Sequence, residues 1–189
     1  IETTLTNKSK RVVIHRDAPT VIIGERINPT GRKELLAALE AGDFESVRRD
    51  ALAQVAAGAT VLDINAGVPG ADEAALLEQI IKEVIAVTDV PLCIDTVNPK
   101  ALEAALNLYK GKPLVNSVNG EMKSLETVLP LVKEHGAAVI GLCIDSNGIP
   151  ASPEERVTVA EKIIKRATQL GIPIEDIVID PLAMAMSAD

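Results

Sequence analysis

Several short apolar segments of the sequence end in a side chain that can hydrogen-bond the edge of a heterocycle. The segments are VIIGE, TVLDIN, PLCID, PLVN and DIVID, and their polar residues are Glu25, Asp63, Asn65, Asp95, Asn116 and Asp180. Carboxylates accept hydrogen bonds with two oxygens, whereas carboxamides both donate and accept, so this set suits a ligand rich in N–H and C=O groups. Catalytic residues of a parallel α/β barrel lie at the carboxyl ends of its strands, so we expect these side chains to form one site.

The elements that would position these residues alternate regularly from residue 21 onwards. Strict alternation of strands and helices is typical of a parallel sheet. A TIM (β/α)8-type barrel is favoured over an open doubly wound sheet, because the sequence contains no GxGxxG or GxxxxGK[ST] phosphate loop. Strands are predicted at residues 21–24, 60–65, 91–95, 113–116, 137–143 and 176–180, and helices at 32–41, 44–57, 72–87, 99–110, 123–135 and 153–170.

The number of predicted strands sets the expected domain organisation. A barrel of eight units usually needs about 250 residues, whereas this sequence has 189 residues and six strand candidates after its N-terminal segment. We therefore expect residues 21–189 to form a barrel domain that is truncated after about six βα units. Residues 1–20 are predicted to be an N-terminal extension, with residues 11–15 forming half of a hairpin at the lower end of the barrel.

Composition excludes several classes of function. Aromatic residues make up 1% of the chain and hydrophobic residues 47%, so the core is aliphatic and a site built on aromatic stacking is not expected. The net charge of −8 disfavours nucleic-acid binding, which needs a basic patch. Cys93 and Cys143 lie in apolar segments and are predicted to be buried, without metal-binding spacing. No signal peptide or membrane-length apolar segment is present, which favours a cytoplasmic protein with no membrane partner.

Six segments, taken in order, resemble the pterin-binding domain family. They are GERINPTG at 24–31, LDINAG at 62–67, CIDT at 93–96, VNS at 115–117, GAAVIG at 136–141 and IDPL at 179–182. The set is most similar to methyltetrahydrofolate:corrinoid/iron-sulfur protein methyltransferases, and GERINPTG is also similar to the folate-binding module of cobalamin-dependent methionine synthase. The resemblance covers residues 20–185 and implies a TIM barrel that binds a reduced pterin at its C-terminal mouth.

The resemblance also implies roles for individual residues. Asp95, Asn116 and Asp180 match family residues that hydrogen-bond the pterin ring, and Asp63 matches a residue close by; Asn65, Glu25 and Asn28 are further candidates for folate binding. The implied reaction moves a methyl group between N5 of methyltetrahydrofolate and the cobalt of a corrinoid (cobalamin) carried by a partner protein, with no metal bound directly by this chain. The family has another asparagine near N5 after its seventh strand, so catalytic residues are expected beyond residue 189, and the 189 residues alone are expected to turn over weakly or not at all. Homodimers are common in the family.

Alternatives remain open at this point. Dihydropteroate synthase is also a pterin-binding enzyme, but its family has an arginine in the loop after the second strand, where residues 66–73 here hold two acids and no arginine. A non-catalytic folate-binding module of a larger protein is a third possibility. Individual residues also have structural alternatives: Asp95 and Asp180 as helix caps, Asp63, Asn65 and Asn28 as turn residues, Glu25 in an ion pair with Arg26 or Arg32, and Asn119 as a loop residue.

Overall fold

The computed structural model describes residues 1–8 and 10–183, which form two sheets, six α-helices and one short 3-10 helix at Ile174–Asp176. Six strands lie parallel in the order β3-β4-β5-β7-β8-β9, so each strand neighbours the next main strand along the chain. The other sheet is three-stranded and antiparallel, in the order β2-β1-β6. The strands are β1 (Glu2–Asn7), β2 (Lys10–His15), β3 (Ile23–Ile27), β4 (Val61–Asn65), β5 (Leu92–Asp95), β6 (Gly111–Lys112), β7 (Leu114–Asn119), β8 (Ala138–Leu142) and β9 (Ile177–Asp180).

Every helix lies where the sequence pattern predicts it, to within two residues at either end. The start signals explain this agreement: Ser152 and Glu155 form a capping box before α6, and Asn98 caps α4 ahead of Pro99. Gly136 ends α5 in the left-handed conformation with φ of 62°. The helices are α1 (Lys33–Glu40), α2 (Glu45–Ala56), α3 (Glu73–Val87), α4 (Pro99–Leu108), α5 (Met122–His135) and α6 (Pro153–Gln169).

The fold is an α/β fold of the TIM-barrel type, as predicted, with its parallel sheet open in the described part of the chain. β3 and β9 are the two edge strands of that sheet. The register aligns the carboxyl ends of neighbouring strands, since Asn65 is paired with Asp95 and Asp95 with Asn116. Polar residues that are far apart in sequence are therefore brought to one end of the sheet.

Apolar side chains of the parallel strands alternate between two cores. One set faces the helices and packs with residues such as Leu77 and Leu102, and it includes Leu62, Ile64, Leu92 and Ile94. The opposite set faces the inside of the curved sheet, and it includes Val61, Cys93, Leu114 and Ala138. This period-two alternation places Asp63 on the inner face, two residues after Val61.

The N-terminal hairpin covers the inner face at the end opposite the polar residues. Leu5 is fully buried and Val12 nearly so, and both pack against the inner apolar set. Asn7 Nδ2 donates to the carbonyl of Val90, just before β5, and Tyr109 Oη donates to the carbonyl of Thr6. β1 and β2 pair as an antiparallel hairpin. The sequence pattern identified only its second strand and missed the pairing of β1 with β6.

Two strands extend beyond their predicted ends. β3 was expected at residues 21–24 but runs from Ile23 to Ile27, because Gln54 Oε1 accepts from the Arg26 backbone N–H at 2.8 Å and Ile27 pairs with Ile64. β7 was expected to end at residue 116 but continues to Asn119, alongside β8. The prediction that Glu25 closes its strand is therefore wrong, since Glu25 lies within β3. Among the described helices, none is both long and apolar enough to cross a membrane.

Candidate functional site

Asp63 lies at the centre of the polar end of the sheet. Its side chain is on the inner face of β4 and the residue is only 2% exposed. Asn116, at the bend of β7, donates from Nδ2 to Asp63 Oδ1 at 3.2 Å. The other oxygen, Asp63 Oδ2, is buried and has no hydrogen-bond partner among the described residues. A buried carboxylate oxygen of this kind has capacity left for a donor supplied by a ligand.

The environment of Asp63 changes its acidity. Burial raises the pKa of Asp63 to about 6, while the neighbouring Cys93 thiol and the hydrogen bond from Asn116 act in the opposite direction. The charges of Asp95 and Glu25 raise the pKa further. A carboxyl group with a strongly raised pKa at the end of a sheet is typical of functional sites. Burying its charged form without a hydrogen-bond partner costs free energy unless a ligand supplies that partner.

Asn65 and Asp95 form a second amide–carboxylate pair next to the first. Asn65 Nδ2 donates to Asp95 Oδ2 at 2.9 Å, and Asn65 Oδ1 accepts from the backbone N–H of Gly67 at 2.8 Å. Burial raises the pKa of Asp95, Asn65 opposes this effect, and the charges of Glu25 and Glu73 add to it. Asp95 does not cap α4, since Asn98 has that role, so the helix-cap alternative for Asp95 is excluded.

Glu73, at the start of α3, also belongs to the site, although no sequence motif marked it. Its carboxylate accepts hydrogen bonds from Thr96 Oγ1 and from Asn98 Nδ2, the latter at 3.1 Å. These contacts tie the loop after β4 to the loop after β5. The available signal was an acid directly after the helix cap Asp72, but that position alone is typical of ordinary helix starts.

Asp180 lies at the end of β9, two strands away from β7. Strands are spaced about 4.8 Å apart, so Asp180 is separated from β7 by about 10 Å across the sheet. Asp180 Oδ1 accepts from the Leu182 backbone N–H at 2.7 Å, which makes it a turn residue in addition to any ligand role. Arg156 donates to the carbonyls of Pro181 and Leu182, and it thereby holds the segment that follows Asp180.

Glu25 and Asn28 lie apart from this hydrogen-bond network. Glu25 is exposed, and among the described residues it forms no ion pair with Arg26 or Arg32, the structural alternative considered for it; Arg32 pairs with Asp50 at 2.7 Å. Asn28 Oδ1 accepts from the Thr30 backbone N–H at 2.9 Å, so it shapes the turn after β3. The structure thus brings four predicted site residues into two hydrogen-bonded pairs, while three others lie outside those pairs: Asp180, Glu25 and Asn28.

The site is rich in acceptors and carries negative charge. Among the described residues, no lysine or arginine forms an ion pair with Asp63, Asp95 or Glu73. No group of three acidic, His or Cys side chains in the same residues is placed to hold a metal ion. Both cysteines are free and buried, as predicted. An apolar cavity of about 430 Å³ lies elsewhere, beside α6 and β9, and includes Cys143, Arg156 and Ile179 in its lining.

Comparison with known proteins gives a consistent family. The family model for pterin-binding enzymes matches residues 24–188. The chain is 33% identical to methylcorrinoid:tetrahydrofolate methyltransferase from Eubacterium limosum over 174 residues, covering 89% of this chain and 63% of that protein. It is 30% identical to methionine synthase from Mycobacterium tuberculosis over 178 residues, covering 91% of this chain and 15% of that protein. The chain therefore spans under two thirds of the length of these relatives.

Solved structures agree with the fold. Dihydropteroate synthase from Thermus thermophilus superimposes with a TM-score of 0.67 and 26% identity, covering 94% of this chain and 64% of that one. Dihydropteroate synthase from Xanthomonas albilineans gives a TM-score of 0.70 at 21% identity, covering 96% and 67% of the two chains. Because the family model matches residues 24–188, which are most of the chain, the chain belongs to the pterin-binding enzyme family.

Proposed function

We propose that this chain binds a reduced folate at the carboxyl ends of its parallel strands and serves methyl transfer between N5 of methyltetrahydrofolate and a corrinoid held by a partner protein. The observation that carries the proposal is the pair of amide–carboxylate contacts, Asn116 with Asp63 and Asn65 with Asp95, with Asp63 Oδ2 left buried and unpaired. The similarity to a methylcorrinoid:tetrahydrofolate methyltransferase and to methionine synthase supports the methyltransferase class over other pterin chemistry.

The donor and acceptor pattern of a pterin fits these residues. Its aminopyrimidinone edge offers adjacent N–H donors, which a carboxylate accepts with its two oxygens. Asp95 and Asp63 supply such acceptors, and Asn116 supplies a carboxamide that can also read a ring carbonyl or nitrogen. Asp180 is proposed to contact the same ring from β9, about 10 Å across the sheet. The proposed ligand set is Asp95, Asn116, Asp180 and Asp63, with Glu25 and Asn28 at its edge.

In this proposal the residues of the chain act by binding and orientation. Transfer by in-line displacement needs the methyl carbon aligned between N5 and the acceptor. The residues at the strand ends can contribute to this step by holding the pterin ring in one fixed orientation. The corrinoid supplies the cobalt that exchanges the methyl group. Departure of N5 as an anion is prohibitive, so N5 must gain a proton or a strong hydrogen bond. We assign that task to none of the four proposed ligands.

A dihydropteroate synthase activity is the second candidate, because the superimposed solved structures carry that name. The charge of the loop after β4 weighs against it. Asp72 caps α3 and Glu73 faces Thr96 and Asn98, so this loop adds negative charge beside Asp95. An anionic leaving group such as pyrophosphate would be repelled there. A folate-binding module without its own chemistry is the third candidate, since the match to methionine synthase covers 15% of that protein.

Methyl transfer from 5-methyltetrahydrofolate to cob(I)alamin, followed spectroscopically with the full-length protein, tests the proposal. We expect transfer by the wild type and a strong loss in Asp95→Ala, with Asn107→Ala on the exposed face of α4 as the matched surface control. Folate binding without transfer to either free or protein-bound corrinoid would favour the module. Condensation of a pterin pyrophosphate with 4-aminobenzoate would favour the synthase.

A further inference from the structure

The side chain of Asn65 is fixed by two hydrogen bonds of opposite kind. Oδ1 accepts from the Gly67 backbone N–H at 2.8 Å, and Nδ2 donates to Asp95 Oδ2 at 2.9 Å. Because only the Nδ2 end of a carboxamide donates, the Gly67 N–H selects the orientation that presents a donor to Asp95. The amide has no freedom to turn its donor toward a ligand without breaking one of these contacts.

The backbone geometry supports this arrangement. Asn65 and Asp95 are direct register partners on β4 and β5, which are parallel neighbours in the sheet. A Cβ atom placed on Gly67 would lie 3.1 Å from Asn65 Oδ1, a tighter approach than most side chains tolerate. Glycine at position 67 therefore lets the backbone N–H approach the amide and hold it.

Asp95 needs a donor more than most carboxylates because acids face it from several elements. Glu25 on β3, Asp63 on β4 and Glu73 on α3 all lie near enough for their charges to interact with the site, and the Cys93 thiol lies on β5 itself. Among the described residues, Asn65 is the side chain that donates to Asp95. Burial raises the pKa of Asp95, and the hydrogen bond from Asn65 is the contact that lowers it.

We propose that Asn65 is a positioning residue of the pterin site and does not itself contact the ligand. Asn65 holds Asp95 in the orientation, and in the charged form, that accepts N–H groups of the ligand. The ligand part of this inference rests on the folate-binding function proposed above. The effect on Asp95 does not, because it concerns the protein without ligand.

The test uses two substitutions at Asn65 and a matched control. Asn65→Ala removes the donor, and Asn65→Asp keeps the acceptor for Gly67 but places a second carboxylate against Asp95. Asn119→Ala is the control, because Asn119 Oδ1, at the end of β7, likewise accepts from a backbone N–H two residues later, that of Glu121. Gly67→Ala is a second route to the same effect if the Asn65 variants fold poorly, since it crowds the amide and leaves Asn65 in place.

Two readouts separate the possible failures. Carboxyl carbon NMR of the full-length protein without ligand should show Asp95 titrating at higher pH in Asn65→Ala and higher still in Asn65→Asp, with no change in Asn119→Ala. Affinity for 5-methyltetrahydrofolate should fall about ten-fold or more in Asn65→Ala at the acidic end of a pH series, because Asp95 loses the hydrogen bond that favours its charged form. The loss should shrink as the pH rises and Asp95 ionises.

Unchanged titration of Asp95 in Asn65→Ala, Asn65→Asp and Gly67→Ala would overturn the inference, whatever the folate affinities of these variants are. An affinity loss that is equal at every pH would also overturn it and would make Asn65 a direct contact. If wild type shows no folate binding while Asp95 shifts as expected, the proposed function fails and the positioning role in the protein stands.

Discussion

Replacing Asp63 with asparagine should remove a pH-dependent penalty on stability. Asp63 is 2% exposed, and burial raises its pKa from 3.8 to about 6. The folded protein therefore holds the proton to higher pH than the unfolded chain does. The stability associated with this proton is fully present below pH 3.8 and is lost as the pH rises through about 6. Wild type carries the whole penalty near neutral pH, whereas the variant has no carboxyl to ionise.

The pKa difference sets the size of the effect. At about 1.36 kcal/mol per pKa unit, it corresponds to about 3 kcal/mol. The substitution also has a cost that does not depend on pH, because Nδ2 replaces the unpaired Oδ2 and leaves a buried donor without a partner, which costs about 1–3 kcal/mol. The stability of Asp63→Asn relative to wild type should therefore improve by about 3 kcal/mol between pH 3.5 and pH 7.5.

Urea unfolding of the full-length protein across this pH range measures the difference, with the m-value checked for constancy. Asp89→Asn, which removes one carboxyl from an exposed position, is the control for the change in net charge. A relative stability of Asp63→Asn that does not change with pH would refute the account of a buried, poorly compensated carboxylate. A relative stability that worsens as the pH rises would refute it more strongly, because the sign would be reversed.

Further predictions concern the hairpin, β6, the end of β9 and the pH dependence of binding. Leu5→Ala should lower the free energy of unfolding by about 2–5 kcal/mol in denaturant titrations, because Leu5 is fully buried in the inner core. Gly111→Ala should destabilise as well, since its Cβ would lie 2.3 Å from the Thr6 carbonyl oxygen, whereas Gly42→Ala has open space and should show a smaller loss. Arg156→Met should weaken folate binding in calorimetry by releasing the segment after β9, and unchanged affinity would exclude that role. Folate affinity of wild type should fall as the pH drops through about 6, where Asp63 becomes protonated and ceases to accept with both oxygens.

The sequence was sufficient to locate the six α-helices, the six strands of the parallel sheet and most of the polar residues at the ends of those strands. Helix starts such as Ser152 and Asn98 carry local capping chemistry, and local chemistry can be recognised without the fold. Asp63, Asn65, Asp95 and Asn116 follow apolar segments, and the alternation of strands with helices implies that such ends meet.

Contacts that depend on register could not be predicted in the same way. The pairing of Asn65 with Asp95 follows from the alignment of β4 with β5, and a shift of one residue would have turned Asn65 to the other face. Glu73 reaches Thr96 and Asn98 across two loops, so no local pattern marks it. β1 has one fully buried apolar residue, Leu5, and is otherwise mostly polar. Its sequence alone therefore does not indicate that β1 packs against the inner core.

Calorimetric titration of the full-length protein with 5-methyltetrahydrofolate tests the central claim most directly. The account predicts binding of one folate per chain by wild type and a loss of about ten- to a hundred-fold in affinity for Asp95→Ala and for Asp180→Ala, since each removes a charged hydrogen-bond acceptor. Asp89→Ala, at an exposed position away from the strand ends, should bind as wild type does. Equal affinity of wild type, Asp95→Ala and Asp180→Ala would contradict the assignment of the pterin site to these strand ends.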